Sequence, residues 1–281
     1  AGVAVLGGFL PAAAMLAMPG WLKASVAPAL AVSGFAMVLG FAGRSAKWVK
    51  QLALVLMLIG WAMHTGGLTA RVILSDRGPI SNMFESMIYL GWGAITFALA
   101  FGIFHGVTYF GMAACAVASV MLLSAENSFD PFISPLVPVL RSYWLWIHVQ
   151  IIMLGYAGLA MAIAMGHLRL LFTLSGDEQL PKARSIDPIL HRTIQIGAAC
   201  LGTGIVLGGI WADYSWGRYW GWDPKETWAL ITFLCYMALL HGRFAGWLSG
   251  AGMALGTVLG IFPLLMTYYG VNFLLVGLHS Y

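Results

Sequence analysis

Apolar residues in this chain come in long unbroken blocks, and the polar residues gather at the block boundaries. Nine blocks stand out, near residues 2–18, 25–42, 48–65, 83–104, 107–123, 144–172, 193–212, 226–243 and 247–270, the first of them short and holding Pro11. At ~1.5 Å per residue such blocks cross a ~30 Å hydrocarbon layer as helices. The alternating short strands of a membrane barrel are absent. A helix satisfies its backbone polar groups internally, so the pattern predicts an all-α, polytopic membrane bundle of about eight or nine transmembrane helices. One boundary breaks the pattern. Residues 211–228, WADYSWGRYWGWDPKETW, place seven aromatic and five charged side chains in eighteen positions.

Composition narrows the picture. With 60% apolar residues, 9% charged residues and a mean hydropathy of +0.87, no sizeable soluble domain fits beside the bundle. A net charge of +4 and a pI near 9.0 would suggest nucleic acid for a soluble protein, but here they report loop anchoring at a lipid surface. The expected surroundings are membrane lipid, with no nucleic acid. Cys115, Cys200 and Cys235 lie within apolar blocks and form no CxxC pair, which argues for packing thiols over a redox couple or zinc site. The chain contains no CxxCH and so is not itself a c-type cytochrome.

Lysines and arginines of alternate loops divide eight to six: Arg44, Lys47, Lys50, Arg169, Lys182, Arg184, Arg192 and Arg243 against Lys23, Arg71, Arg77, Arg141, Arg218 and Lys225. Most carboxylates fall with the second group. The first group is therefore expected in the cytoplasm, and the aromatic stretch, loops 66–82 and 124–143 and the C-terminal tail outside.

Of seven histidines, His148 starts the sixth block and His279 follows the last, so both reach the layer of the aromatic stretch. Two imidazoles beside indole rings suit an iron porphyrin, whose metal takes two axial ligands and whose apolar disc packs on aromatic faces. Its propionates need partners such as Arg71, Arg77, Arg141 or Arg218. His241 lies fifteen residues past Glu226, ~22 Å down its helix, near the cytoplasmic leaflet. An ionisable group there is a candidate for function, with His105, His167 and His191 at similar depth, although a helix-end role beside Arg243 is the alternative. His64 lies nearer the outer end of its helix, a poor partner for His241.

A tryptophan belt supplies one or two rings per helix end. The density of Trp211, Trp216, Trp220, Trp222 and Trp228, with Gly217 and Gly221 permitting close backbone approach, argues for a ligand platform. Asp223, Pro224 and Glu226 also read as a helix start, an N-cap followed by a capping-box partner.

WGRYWGWDPKETW resembles the tryptophan-rich "WWD" signature of proteins that handle haem in cytochrome c maturation. Together with HTGGLTARVILSDRGPISNMFESM (64–87), WLWIHVQIIMLGYA (144–157), ALITFLCYMALLHGR (229–243) and the terminal VNFLLVGLHSY (271–281), it most resembles the CcsA (ResC) family of System II. The similarity runs from about residue 48 to the end, giving a haem-handling membrane domain over 48–281 with its loop at 211–228 and unassigned transmembrane segments over 1–47.

The resemblance implies that His148 and His279 are external haem ligands and that His241 is one ligand of a haem within the membrane, whose second ligand comes from a CcsB (ResB) partner. In this reading the WWD residues Trp216, Trp220 and Trp222 fix the disc, Asp223 serves in helix capping or propionate-side hydrogen bonding, and Arg218, Arg71 and Arg77 remain propionate candidates by their charge. It also implies a cytochrome c haem lyase that exports haem b and joins it to the CxxCH motif of an apocytochrome c, in a bacterial inner membrane with the loop facing the periplasm. The rival expectations are a haem-bearing subunit that passes electrons from quinone, and a permease or scaffold without haem.

Overall fold

A computed structural model describes residues 27–41, 47–105, 107–133, 135, 140–176, 181–275 and 277. The elements among the described residues are helices: α1 (Ala27–Phe41), α2 (Lys47–Ser75), α3 (Met83–His105), α4 (Val107–Ser128), α5 (Tyr143–Leu174), α6 (Pro181–Trp216), α7 (Pro224–Phe244) and a broken last segment. That segment comprises α8 (Gly250–Leu259), α9 (Ile261–Leu265), a π-helical turn (Met266–Gly270) and α10 (Val271–Phe273). Among the described residues, seven helices are long and apolar enough to cross a membrane. Bare aliphatic side chains such as Val55, Ile59, Val206, Leu234 and Leu259 cover their outer faces, an arrangement stable only where lipid replaces water. The protein is a polytopic helical membrane bundle. The expected segment at 2–18 lies outside the described residues.

Two compact units, residues 1–137 and 138–281, divide within the proline-rich connection at 129–140. In the first, α3 packs against α4, and α1 against α4 and α2. Two tryptophans latch α2 to α3: Trp61 Nε1 donates to Thr96 Oγ1 at 3.0 Å and Trp92 Nε1 to Thr65 Oγ1 at 2.9 Å. Beyond the latch, Arg71 and Glu85, with side chains 2% and 1% exposed, form an ion pair at 2.9 Å. Arg71 Nη1 also donates to the Pro131 carbonyl at 3.0 Å, and Glu85 Oε2 accepts from the Ser81 hydroxyl at 2.6 Å. One carboxylate thus joins a helix start to the loops on either side. Arg77 completes the cluster at 3.8 Å from Glu85.

In the second unit α5 and α6 approach closely because small residues line their contact. A Cβ on Gly155 would lie 2.8 Å from the Leu201 nitrogen, and one on Gly158 3.1 Å from the Gly197 Cα. The α6 helix begins twelve residues before the expected block, at Pro181. Its extra turns carry an apolar stripe of Ala183, Ile186 and Leu190, continued by Ile194 and each 0% exposed, between charged residues that mask the stripe in a hydropathy profile. There Asp187 accepts from Arg169 Nε at 2.8 Å, fastening α5 to α6 at the end opposite the aromatic stretch.

The last span breaks for a local reason. Pro263 lacks an N–H and crowds the carbonyl four residues earlier, so the chain turns at Gly260 and regains its register through the π turn. Two buried hydroxyls knit the break to α7: Thr232 and Thr267 lie 2.7 Å apart, and each reaches both the Trp228 and Pro263 carbonyls at 2.8–2.9 Å. The cysteines separate by environment. Cys115 is buried against Ser33, 3.1 Å from its hydroxyl, Cys200 is half-buried and Cys235 stands on the uncovered face of α7, so it does not pack inside the bundle as expected.

Replacing Arg71 by Ala leaves Glu85 charged and buried without its main partner, and is expected to cost about 3–5 kcal/mol. A lowered midpoint of unfolding in mixed micelles checks it; an unchanged midpoint refutes the role given to the pair.

Candidate functional site

His148 lies on the second turn of α5, facing α6. Its Nδ1 is 2.7 Å from the Gly204 carbonyl. A carbonyl only accepts, so in the neutral ring Nδ1 carries the proton and Nε2 the lone pair that a metal would need. The seat is cut from glycine: a Cβ on Gly204 would meet Ile152 at 2.8 Å, and one on Gly208 would meet His148 Cε1 at 2.7 Å. One turn beyond, Trp211 is 1% exposed and its ring lies within 5° of parallel to the imidazole, centroids 6.4 Å apart. Trp216 packs edge-on to Trp211 at 4.6 Å. Histidine and indoles therefore share one wall of α5 and α6.

From that wall the chain leaves α6 through Gly217, whose φ of +68° favours glycine and whose N–H returns to the Asp213 carbonyl at 2.8 Å. Tyr219 folds back, its hydroxyl donating to the Val206 carbonyl at 3.0 Å. Trp220 and Trp222 meet edge to face at 5.7 Å. Trp222 is 69% exposed and holds a left-handed φ of +56°, a conformation costing roughly 1–2 kcal/mol for a residue with a Cβ.

The turn is held by Glu226. Its Oε2 accepts from the Gly221 N–H at 2.8 Å and the Asp223 N–H at 3.1 Å, while Asp223 caps α7 through the Lys225 N–H at 3.1 Å. The capping box expected from DPKE is present in full. Asp223 is 6% exposed and turned into the cap.

Two ties bring the C-terminal end to the same place. Lys225 Nζ donates to Asn272 Oδ1 at 2.9 Å, and Gly277 lies so close to the cap that a Cβ there would meet Asp223 Oδ1 at 2.6 Å. His279, two positions further, lies outside the described residues. Arg218 lies over Trp216, 5.9 Å from the ring centroid, and 3.7 Å from Glu226 Oε1. Sequence spacing brought the aromatic residues, Arg218 and the cap together. It missed the Gly204–Gly208 seat, whose only trace is two glycines four apart, the Lys225–Asn272 tie and the second task of Glu226.

His241 stands near the far end of α7 from Asp223, uncovered by the chain, with Nδ1 2.7 Å from the Met237 carbonyl. Its Nε2 is the lone-pair nitrogen by the same reasoning, as in His167, whose Nδ1 lies 2.9 Å from the Ile163 carbonyl. Any helical histidine can reach the carbonyl four residues back; His148 instead uses a neighbouring helix. Arg71 and Arg77 belong to the first unit, where Glu85 engages both.

Residues 80–279 match the family described as cytochrome c assembly protein. The chain is 34% identical over 283 residues to cytochrome c biogenesis protein CcsA of a Synechococcus species, covering 88% of this chain and 91% of that one. Protein NrfI of Wolinella succinogenes is 40% identical over 237 residues, 80% of this chain but 26% of its own length, so the chain spans about a quarter of that relative. Among solved structures, cytochrome c haem lyase CcmF superposes with a TM-score of 0.66 over 90% of this chain and 46% of its own, at 15% identity, a likeness of fold.

Gly208→Ala places a methyl group in the seat of His148 and is expected to push the ring off the Gly204 carbonyl, losing about 1 kcal/mol of hydrogen bonding. Imidazole nitrogen shifts of labelled protein report it as a change from one tautomer to a mixture; an unaltered Nδ1–H signal refutes the seat.

Proposed function

Because the chain belongs to the cytochrome c assembly family, with the CcsA proteins among its members, we propose that it presents haem at the outer membrane surface and joins it to apocytochrome c. The observation that carries this reading is the His148 seat beside the tryptophan wall: an imidazole turned to a single tautomer at a ledge of indoles. The residues fit an iron porphyrin. His148 would hold the iron through Nε2 and His279 would supply a second ligand, Trp216, Trp220 and Trp222 would give apolar surface to the disc, and Arg218 would give a cation to a propionate. Asp223 acts indirectly, by fixing the turn that carries Trp222.

Haem b, the substrate in this reading, brings two vinyl groups across which the two thiols of a CxxCH motif add; each S–C bond forms as the thiol proton passes to the neighbouring vinyl carbon. Positioning is the chain's own contribution. A rigid ledge sets the vinyl edge where an incoming thiol meets it, which removes much of the entropic barrier to joining two partners. The cytochrome's own histidine then replaces one of the chain's ligands. The uncovered Trp222 and Tyr214 favour this reading over a permanently enclosed redox haem, because a ligand that must leave needs an open side.

His241 is proposed as one ligand of a second haem position within the membrane, its partner ligand coming from a CcsB (ResB) chain. The proposed location is a bacterial inner membrane with the loop facing the periplasm.

Replacing His148 or His279 by Ala is expected to abolish thioether formation on a CxxCH substrate, and added imidazole to restore part of it by occupying the vacated iron position. His241→Ala is expected to lower the haem content of the purified complex, an effect that imidazole relieves. The c-type absorption spectrum of the product checks the first two variants and a pyridine haemochrome of the purified complex the third; full synthesis by the His148 and His279 variants refutes the ligand assignment.

A further inference from the structure

Arg218 is held in an unusual way. Its Nη1 lies 3.7 Å from Glu226 Oε1, too far for a hydrogen bond, and each of these two buried atoms lacks any hydrogen-bond partner. The other carboxylate oxygen, Oε2, is committed to the Gly221 and Asp223 N–H groups. Beneath the guanidinium there is no side chain. A Cβ on Gly221 would collide with Nη1, so the arginine rests in a notch that only glycine leaves open. Trp216 bounds the other side.

Charge-assisted hydrogen bonds to a carboxylate close to about 2.7–2.9 Å when both partners are free to move. Here the carboxylate is fixed by its capping duty, and the arginine is caught short of it. The pair has the attraction of opposite charges and none of the hydrogen bonding, so a mobile carboxylate that offers both bonds can take the arginine away.

We propose that Glu226 and the Gly221 notch form a parking place for Arg218, from which a carboxylate-bearing ligand on the aromatic ledge withdraws it, so that Glu226 sets the strength with which the ledge holds an anionic ligand. The ligand class rests on the haem reading above: the carboxylate is a propionate. Competition by Glu226 keeps the grip weak, as a surface that must release its cargo requires. Glu226 is a positioning residue that acts through Arg218.

Gln at 226 can still accept from the Gly221 and Asp223 N–H groups, so Glu226→Gln removes the charge and keeps the cap. Gly221→Ala leaves the capping box alone and evicts Arg218 by volume; the φ of Gly221 is not positive, so the backbone accepts the change. The probes are haem and haem dimethyl ester, which lacks free carboxylates, with dissociation from the purified chain and any partner that copurifies with it followed by transfer to apomyoglobin. Both variants are expected to slow haem loss by about threefold to tenfold and to leave ester loss unchanged, a range suited to a partly screened ion pair. Arg218→Gln is expected to speed haem loss until haem and ester leave alike. If Glu226→Gln and Gly221→Ala change haem and ester equally, or change neither, the parking place is refuted while the haem reading stands. If the wild-type chain retains neither probe, both are refuted.

Discussion

An irregular loop at a membrane boundary must satisfy its own backbone without using the groups it displays. Indole and phenol rings serve a ligand only if the chain beneath them does not close over its unpaired N–H groups. In this protein the carboxylate of Glu226 resolves the conflict. By accepting from the Gly221 and Asp223 N–H groups it completes the start of α7 and holds Trp222 in its left-handed turn, where the ring stays 69% exposed. The cap thus stabilises a helix and holds an aromatic face open, and the second effect follows from the first.

The other half of the site obeys a packing constraint. Glycines let α5 and α6 approach until a carbonyl of one helix reaches an imidazole of the other. Any side chain at Gly208 would occupy the space of the His148 ring. The tautomer of the imidazole follows from this single close approach, and the ring of Trp211 lies nearly parallel to it. Far along α6, the Arg169–Asp187 pair fastens the same two helices, so the seam is held at both ends. The broken last span adds its own restraint through Thr232 and Thr267, which accommodate the irregular backbone at Pro263 and carry the chain on towards Gly277 and the cap.

Most of this bundle was legible because lipid imposes long apolar blocks: the expected segment at 25–42 became Ala27–Phe41, and that at 144–172 became Tyr143–Leu174. The start of α6 was missed because Arg184, Asp187 and Arg192 interrupt the hydropathy signal while the buried stripe beneath them continues. The capping box was legible because its residues lie within four positions of each other. Arg71 and Glu85 were not, since their pairing depends on how a loop folds back over fourteen residues, and a sequence shows an arginine without showing its partner. The seat of His148 was hidden for a similar reason: its acceptor is a backbone carbonyl 56 residues away, which carries no residue-type signature. Residue identity was enough to single out the aromatic residues and the cap, whereas the tautomer of His148 and the 3.7 Å separation of Arg218 from Glu226 required three-dimensional register.

The central claim is that this ledge holds an iron porphyrin between two imidazoles loosely enough to give it up. Mixing the purified chain, with any partner that copurifies, with a reduced CxxCH peptide and following the pyridine haemochrome spectrum tests it most directly. The account predicts non-covalent b-type haem at the start and its conversion to the c-type spectrum as the peptide is consumed. Haem that stays b-type in the presence of peptide, or a preparation active in cytochrome c maturation that carries no haem, would contradict it.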